Sequence, residues 1–252
     1  MRKKRNSLLT VIVVILFMFG FGLTVYPYVR GAIVDRVIEL VAEEFLIRTD
    51  NPIAEPSEPV ISFVKPTEPS ATEPREYAQL WADMQAYNEA IYAEGQAKLS
   101  GENAYEQPSF ILSDYGLEDE VFGVISIPAL DLEMPIYLGA TKQNMAAGAA
   151  HMSQTSLPIG GENTNTVIAG HRGWNGAAYF LYLPQLEIGD VVTITNLWET
   201  LTYEVVETKI ITPYNVEAIH IQEGRELLTL LTCHPPATGG RERYLVFCER
   251  VK

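Results

Sequence analysis

The chain is poor in cysteine, has no excess of basic charge, and shows no internal repeat. Only two of its 252 residues are cysteine, Cys233 and Cys248. Two cysteines make no disulfide framework, and no CxxC or mixed His/Cys cluster has the spacing of a zinc site. Nothing in the sequence calls for a metal or another cofactor. Lys and Arg number 18 against 32 Asp and Glu, giving a net charge of −14. The deficit is confined to one part of the chain. Residues 1–75 balance nine basic against nine acidic residues, whereas residues 76–252 hold nine basic and 23 acidic. An acidic body repels phosphate backbones, which argues against nucleic acid as a partner. That charge reads as a solvated surface; the alternative is some attraction to basic or amine-bearing partners. A strand–helix–strand rhythm is also missing, which argues against a doubly wound fold.

What is present begins with an apolar run. Arg2-Lys3-Lys4-Arg5 precede an uncharged stretch from Leu8 to Val25, and Tyr26 and Tyr28 follow it. Nineteen helical residues, Leu8 to Tyr26, span roughly 28 Å, about the thickness of a bilayer core. Basic residues before the run place the N-terminus inside and the rest of the chain outside, with the tyrosines at the far interface. A cleaved signal peptide is the competing reading. The run is long for one, however, and Tyr-Pro-Tyr-Val-Arg rather than an A-x-A-like site follows it. The sequence thus divides into a cytoplasmic basic tail (1–6), a transmembrane anchor (7–28), a juxtamembrane helix and Pro-rich stalk (29–74), an N-terminal helix with a possible lid (75–119), and a catalytic body (120–252).

Within that scheme, Ile33, Val37, Leu40, Val41 and Phe45 share one face of a helix over 33–47. Six prolines among Glu, Ser and Thr over 50–74 predict extended, semi-rigid chain, a stalk that lifts the body off the membrane. Tyr77, Leu80, Trp81, Met84, Tyr87, Asn88 and Ile91 predict a second helix over 75–98. From about 120 the period changes. Short β-branched or alternating runs lie at 121–128, 130–138, 165–170, 190–196, 200–206, 208–212, 227–233 and 244–248, separated by turn signals. This is a mostly β pattern, a closed barrel or a sandwich.

The two cysteines differ in setting. If 227–233 and 243–250 form a hairpin around 235–240, Cys233 lies opposite Arg243 near the loop. Cys248 then lies some 17 Å along the strand, too far for a disulfide. Cys248 reads as a buried small hydrophobe. Cys233 sits at a strand end, where reactive groups tend to be exposed, and a retained free thiol beside a candidate base reads as a nucleophile. Of the four histidines, His234 follows Cys233 directly and points the other way along an extended chain. His171 ends the run 165–170 and opens a Gly-rich turn, from which it can reach a neighbouring strand end. Arg243 follows the turn after Cys233 and shares a strand face with Leu245 and Phe247. A guanidinium there can stabilise a thiolate or an oxyanion, although Arg241 is a nearby competitor for that role.

These residues fall into motifs. Thr229-Leu230-Leu231-Thr232-Cys233 resembles the TLxTC signature of the sortases, and Ala169-Gly170-His171-Arg172-Gly173 resembles their histidine segment. Arg243-Tyr244-Leu245-Val246 is similar to the strand that carries the family's arginine. The segments 155–164, 124–128 and 138–140 are similar to class C (pilin-type) sortases, so that the resemblance covers about 120–250. It implies a sortase-like closed β-barrel of about eight strands with short helices. Cys233 is then the nucleophile, His171 the acid/base and Arg243 the oxyanion or positioning residue, with Thr232 as a substrate contact. It further implies an extracellular cysteine transpeptidase that cuts an LPxTG-like signal at Thr–Gly in surface or pilin proteins. The acyl group passes to an amine, either a pilin lysine or a peptidoglycan cross-bridge. Two features depart from class C. No Asp-Pro-aromatic lid motif is present, Asp114-Tyr115 being the nearest material, and the sequence ends at Lys252 without a second apolar run. Two readings outside this chemistry also stand: an inactive, membrane-tethered binding module on the same scaffold, and an L,D-transpeptidase. The second wants a His-Gly-Cys nucleophile segment, which Leu-Leu-Thr-Cys-His does not supply.

Overall fold

The computed structural model describes residues 2–49, 77–101 and 104–251. The Pro-rich segment 50–74, expected to be a stalk, lies outside the described residues. The first element is one helix, α1 (Arg2–Arg48), with Pro27 inside it. The sequence suggests an apolar run and a separate amphipathic helix; the structure joins them. At 1.5 Å per residue α1 is roughly 70 Å long. Its apolar part has no protein around it: Ile15, Phe17 and Phe19 are each at least 60% exposed. It is the one helix among the described residues long and apolar enough to cross a membrane.

A second helix, α2 (Ala78–Ala93), turns Leu80, Met84 and Ile91 inward at helical spacing. It stops where Gly95 adopts a positive φ and Gln96 N donates back to Ile91 O, satisfying a terminal carbonyl. Each buried apolar side chain on this face contributes about 1.5–3 kcal/mol. A clamp fixes the helix to the barrel: Leu157 N donates to Asn88 Oδ1 at 2.7 Å, and Asn88 Nδ2 donates to Leu157 O.

The body is an eight-stranded closed barrel plus a small hairpin. In chain order the strands are β1 (Val121–Ile127), β2 (Leu132–Leu138), β3 (Ala149–His151), β4 (Thr164–Ala169), β5 (Arg172–Trp174), β6 (Ala177–Tyr179), β7 (Val191–Asn196), β8 (Thr200–Ile211), β9 (Glu226–His234) and β10 (Glu242–Arg250). A short helix, α3 (Lys142–Ala147), precedes β3 and is capped by the Thr141 hydroxyl. The barrel runs β1-β2-β3-β4-β9-β10-β8-β7 and closes, so the barrel itself has no unpaired edge; β5 and β6 pair with each other. The runs 200–206 and 208–212 form one long strand, and β3 and the β5–β6 hairpin are too short to show a period in the sequence. Alternation sets the core. Leu228 and Leu230 of β9, and Val246 and Cys248 of β10, turn into the barrel with Ile125, Ile127, Met134 and Ile136. Leu231, Leu245 and Phe247 turn outward and are covered by Leu99, Met152, Ile211 and Ile219.

The ladders fix the two ends of the barrel. The C-terminal ends of β4, β8 and β9 and the N-terminal ends of β2 and β10 meet at one rim. The start of β1 and the end of β2 lie at the other, with α2. The second half of α1 packs along β1 and β2. Val34 and Ile38 join the main core, and Ala42, Phe45 and Leu46 cover Val121 and Val124. Arg48 ends the helix in an ion pair with Asp119.

Candidate active site

Two ladders bring the three candidate groups to one rim. β4 and β9 run parallel with Ala169 beside Leu231, and Gly170 N donates to Leu231 O at 3.0 Å. Continued two residues past the paired register, the two chains lead to His171 and Cys233 at the same end of the barrel. On the other side of β9, β10 runs antiparallel with Arg243 directly opposite Cys233. Adjacent strands lie about 4.8 Å apart, so three residues 72 positions apart in sequence converge across three neighbouring strand ends. Cys233 shares the outward parity of Leu231, and Arg243 that of Leu245, so thiol and guanidinium lie on the same face.

Gly240 shows how near they are. It has φ +74°, and a Cβ built there would sit 3.1 Å from Cys233 Sγ and 2.9 Å from Arg243 Nη1. Sulfur and guanidinium therefore both border the space over one glycine that has no side chain to fill it. Arg243 Nη1 donates to Gly240 O at 2.7 Å and to Glu242 O at 3.1 Å, which folds the side chain back over the loop. Both cysteines are free. Cys233 is partly exposed, whereas Cys248 faces Leu228 inside the barrel, where burial pushes its thiol up to about 12. Of the two, only Cys233 has access to a substrate.

His171 is held by two rings that sequence reasoning did not assign. Trp174 stacks on it with centroids 4.8 Å apart and planes 17° apart, and Tyr179 meets it edge-on at 5.7 Å. Half-burial between these rings lowers the histidine pKa, because the charged imidazolium is less well solvated there. The aromatics beside a Gly-His-Arg-Gly turn were the available signal. Their contact with His171 depends on the hairpin, which the sequence does not announce.

Arg172 is a second functional-looking residue without a sequence-level role. Its Nη1 donates to His234 Nδ1 at 2.8 Å and reaches Cys233 O at 3.4 Å, and its guanidinium lies over the Tyr244 ring. Its Nε is buried with no partner among the described residues. His234 thus points away from Cys233, as strand alternation requires, and engages Arg172 instead.

Three expected site residues, Thr232, Asp114 and Tyr115, have surroundings that the sequence does not show. Thr232 is buried, and its hydroxyl donates to Gly170 O at 2.8 Å. That hydroxyl pins the end of β4 to β9, one residue before His171. Asp114 and Tyr115 are not brought to Cys233. Tyr115 Oη donates to Asp83 Oδ2 at 2.9 Å and packs near Phe110 beside α2, at the far end of the barrel. A lid pair would have to span the barrel to reach the thiol.

The family model for the sortase domain matches residues 125–251. The chain belongs to the sortase family. Sortase D of Bacillus subtilis (strain 168) is 31% identical over 131 residues, covering 51% of this chain and 63% of that protein. The chain thus spans somewhat less than two thirds of this relative's length. Among solved structures, sortase C1 of GBS pilus island 1 is 32% identical with a TM-score of 0.60, covering 70% of this chain and 89% of that one. Sortase C of Clostridium perfringens SM101 is 25% identical with a TM-score of 0.60, covering 84% and 98%. The fold is the sortase barrel, and its solved neighbours are class C enzymes.

Proposed function

We propose that this sortase is a membrane-anchored cysteine transpeptidase acting outside the cell on LPxTG-like sorting signals, with a pilin lysine as acceptor. The observation that carries the chemistry is the meeting of Cys233 Sγ and Arg243 over Gly240 at the strand end next to His171. The Cys233 thiolate attacks the Thr–Gly carbonyl carbon, and the carbonyl π electrons move to oxygen. Arg243 faces the oxyanion that develops. Collapse of this intermediate breaks the C–N bond, and the His171 imidazolium gives its proton to the departing glycine amine. A thioester on Cys233 remains. An incoming amine attacks it, neutral His171 takes the amine proton, and Cys233 leaves as thiolate, which regenerates the starting state. The acceptor assignment rests on the class C neighbours, one of which is a pilus-island enzyme. The membrane assignment rests on the exposed apolar half of α1 and the basic residues before it.

The test uses the full chain in detergent or vesicles with a quenched LPxTG peptide, with and without hydroxylamine. Cleavage that requires Cys233 and accelerates with the amine is the expected result. A lysine-bearing pilin peptide and a cross-bridge peptide then compete as acceptors; preference for the cross-bridge replaces the pilin assignment. No cleavage, together with a Cys233 unreactive to alkylating reagents, overturns the transpeptidase reading in favour of a binding module.

A further inference from the structure

The apolar half of α1 and the catalytic rim lie at the same end of the molecule. Helix α1 enters the body beside the β5–β6 hairpin and leaves it at Asp119, near the start of β1. The hairpin belongs to the His171 rim, whereas the start of β1 belongs to the opposite end. The contact at the entry is close. A Cβ on Gly31 would overlap the Gly176 carbonyl, and one on Gly176 would overlap the Pro27 carbonyl. Glycine inside a helix costs about 1 kcal/mol relative to alanine, so Gly31 is unfavourable for the helix itself and is explained by this approach.

Polar contacts add to the grip. Ala178 N donates to Asp35 Oδ1 at 3.1 Å. The Asn175 amide oxygen, oriented by its donors, accepts from Trp174 Nε1 at 2.8 Å and from Arg30 at 3.3 Å. Trp174 in turn stacks on His171. From the membrane helix to the general acid, the contacts are continuous through one short hairpin.

We propose that the first turns of α1 beyond the membrane, Pro27 to Asp35, clamp the β5–β6 hairpin and hold the catalytic rim against the bilayer surface. This rests on α1 being a membrane anchor. With the span ending near Tyr26, Gly31 lies about 8 Å beyond it along the helix axis, so the hairpin meets the headgroup region. The surface at this end suits that position. Trp174 and Tyr182 are each 46% exposed on the rim side and Tyr28 is 79% exposed on the helix, an aromatic set of the kind found at membrane interfaces. The Pro-rich segment follows the docked helix, so it does not separate anchor from barrel. Cleavage therefore takes place at the membrane surface, at a height set by a rigid helix.

The full chain is reconstituted in vesicles, and a fluorescent donor is attached to Cys233; a second preparation carries it on Glu162→Cys in a Cys233→Ala background. Glu162 precedes β4, and the chain from Thr164 to His171 runs roughly 23 Å along the strand direction toward the rim. Energy transfer to acceptor-labelled lipid headgroups is measured for both. Stronger transfer from Cys233 than from Glu162→Cys is expected. Gly31→Leu, which favours the helix but blocks the approach, should make the two transfers converge; Asp35→Ala is a milder second variant. A thermal melt of each variant reports retention of the barrel. Equal transfer from both ends of the parent, or a difference unchanged by Gly31→Leu in a folded protein, overturns the clamp. Failure of the parent to float with vesicles overturns the anchor instead, so the two failures are distinguishable.

Discussion

Two histidines of neighbouring strands meet opposite environments. His171 stands past the end of β4, half-buried between two aromatic rings at the open rim. His151 ends β3 beside Ile168 of β4 and is fully buried. Its Nε2 donates to Ser156 O at 3.0 Å, its Nδ1 has no partner among the described residues, and burial lowers its pKa to about 4. The two cysteines repeat the contrast: Cys233 borders an open glycine, and Cys248 is sealed among aliphatic side chains. Identical side chains become chemistry or packing according to which side of a strand, and which end of the barrel, they occupy. In each pair the candidate for chemistry is the member that can exchange protons with solvent.

That contrast breaks most visibly at Cys233. Cys233→Ala should lower peptide cleavage at least about a thousandfold. Cys248→Ser should leave the rate near parent while costing about 1–3 kcal/mol of stability, because a hydroxyl replaces a thiol in an apolar core. Peptide kinetics and a denaturant melt read the two effects separately, and a comparable rate loss in Cys248→Ser would remove the distinction.

His171→Gln should reduce kcat by about 10²–10⁴ with the fold intact. His151 acts on stability. Its folded pKa lies below its unfolded value of 6.5, so the unfolded state binds the proton more readily, and stability present above pH 6.5 is lost as pH falls. Between pH 6.5 and about 4 that loss amounts to about 3 kcal/mol, with no further contribution from this group below pH 4. Urea melts across that range should show the loss in the parent, and a flatter profile in His151→Gln.

Arg243→Lys keeps the charge but not the planar fork, and should lower kcat by about 10²-fold. An unchanged kcat would remove the oxyanion role from Arg243. Thr232→Val removes the hydroxyl that donates to Gly170 O and should cost about 1–2 kcal/mol, with a smaller change in KM than in melting temperature. Tyr115→Phe loses only its bond to Asp83, about 0.5–1.5 kcal/mol, and should leave the rate unchanged. A rate increase in Tyr115→Phe would restore a lid role to that segment.

Much of this architecture is legible from local pattern. Period-2 runs announce most of the barrel strands, and the hairpin between β9 and β10 follows from its turn, which already sets Arg243 opposite Cys233. The same alternation sends His234 away from the thiol and buries Cys248. The short elements escape. Three residues each in β3, β5 and β6 are too few for a period, yet β3 bridges β2 and β4, and the β5–β6 hairpin supplies both rings around His171. Thr232 shows another limit. Its place before the cysteine is visible, but whether a hydroxyl meets substrate or backbone depends on what the neighbouring strand presents.

The sequence by itself determined the barrel class, the long apolar segment, and the choice of Cys233, His171 and Arg243 as candidates, because hydrophobic period and motif order are local properties. Only the tertiary structure decided that Thr232 aligns β4, that Tyr115 belongs to the far end, and that α1 docks beside the hairpin at the catalytic rim. Those outcomes depend on which distant surfaces meet. The space above a residue such as Gly31 exists only once the hairpin has folded against it.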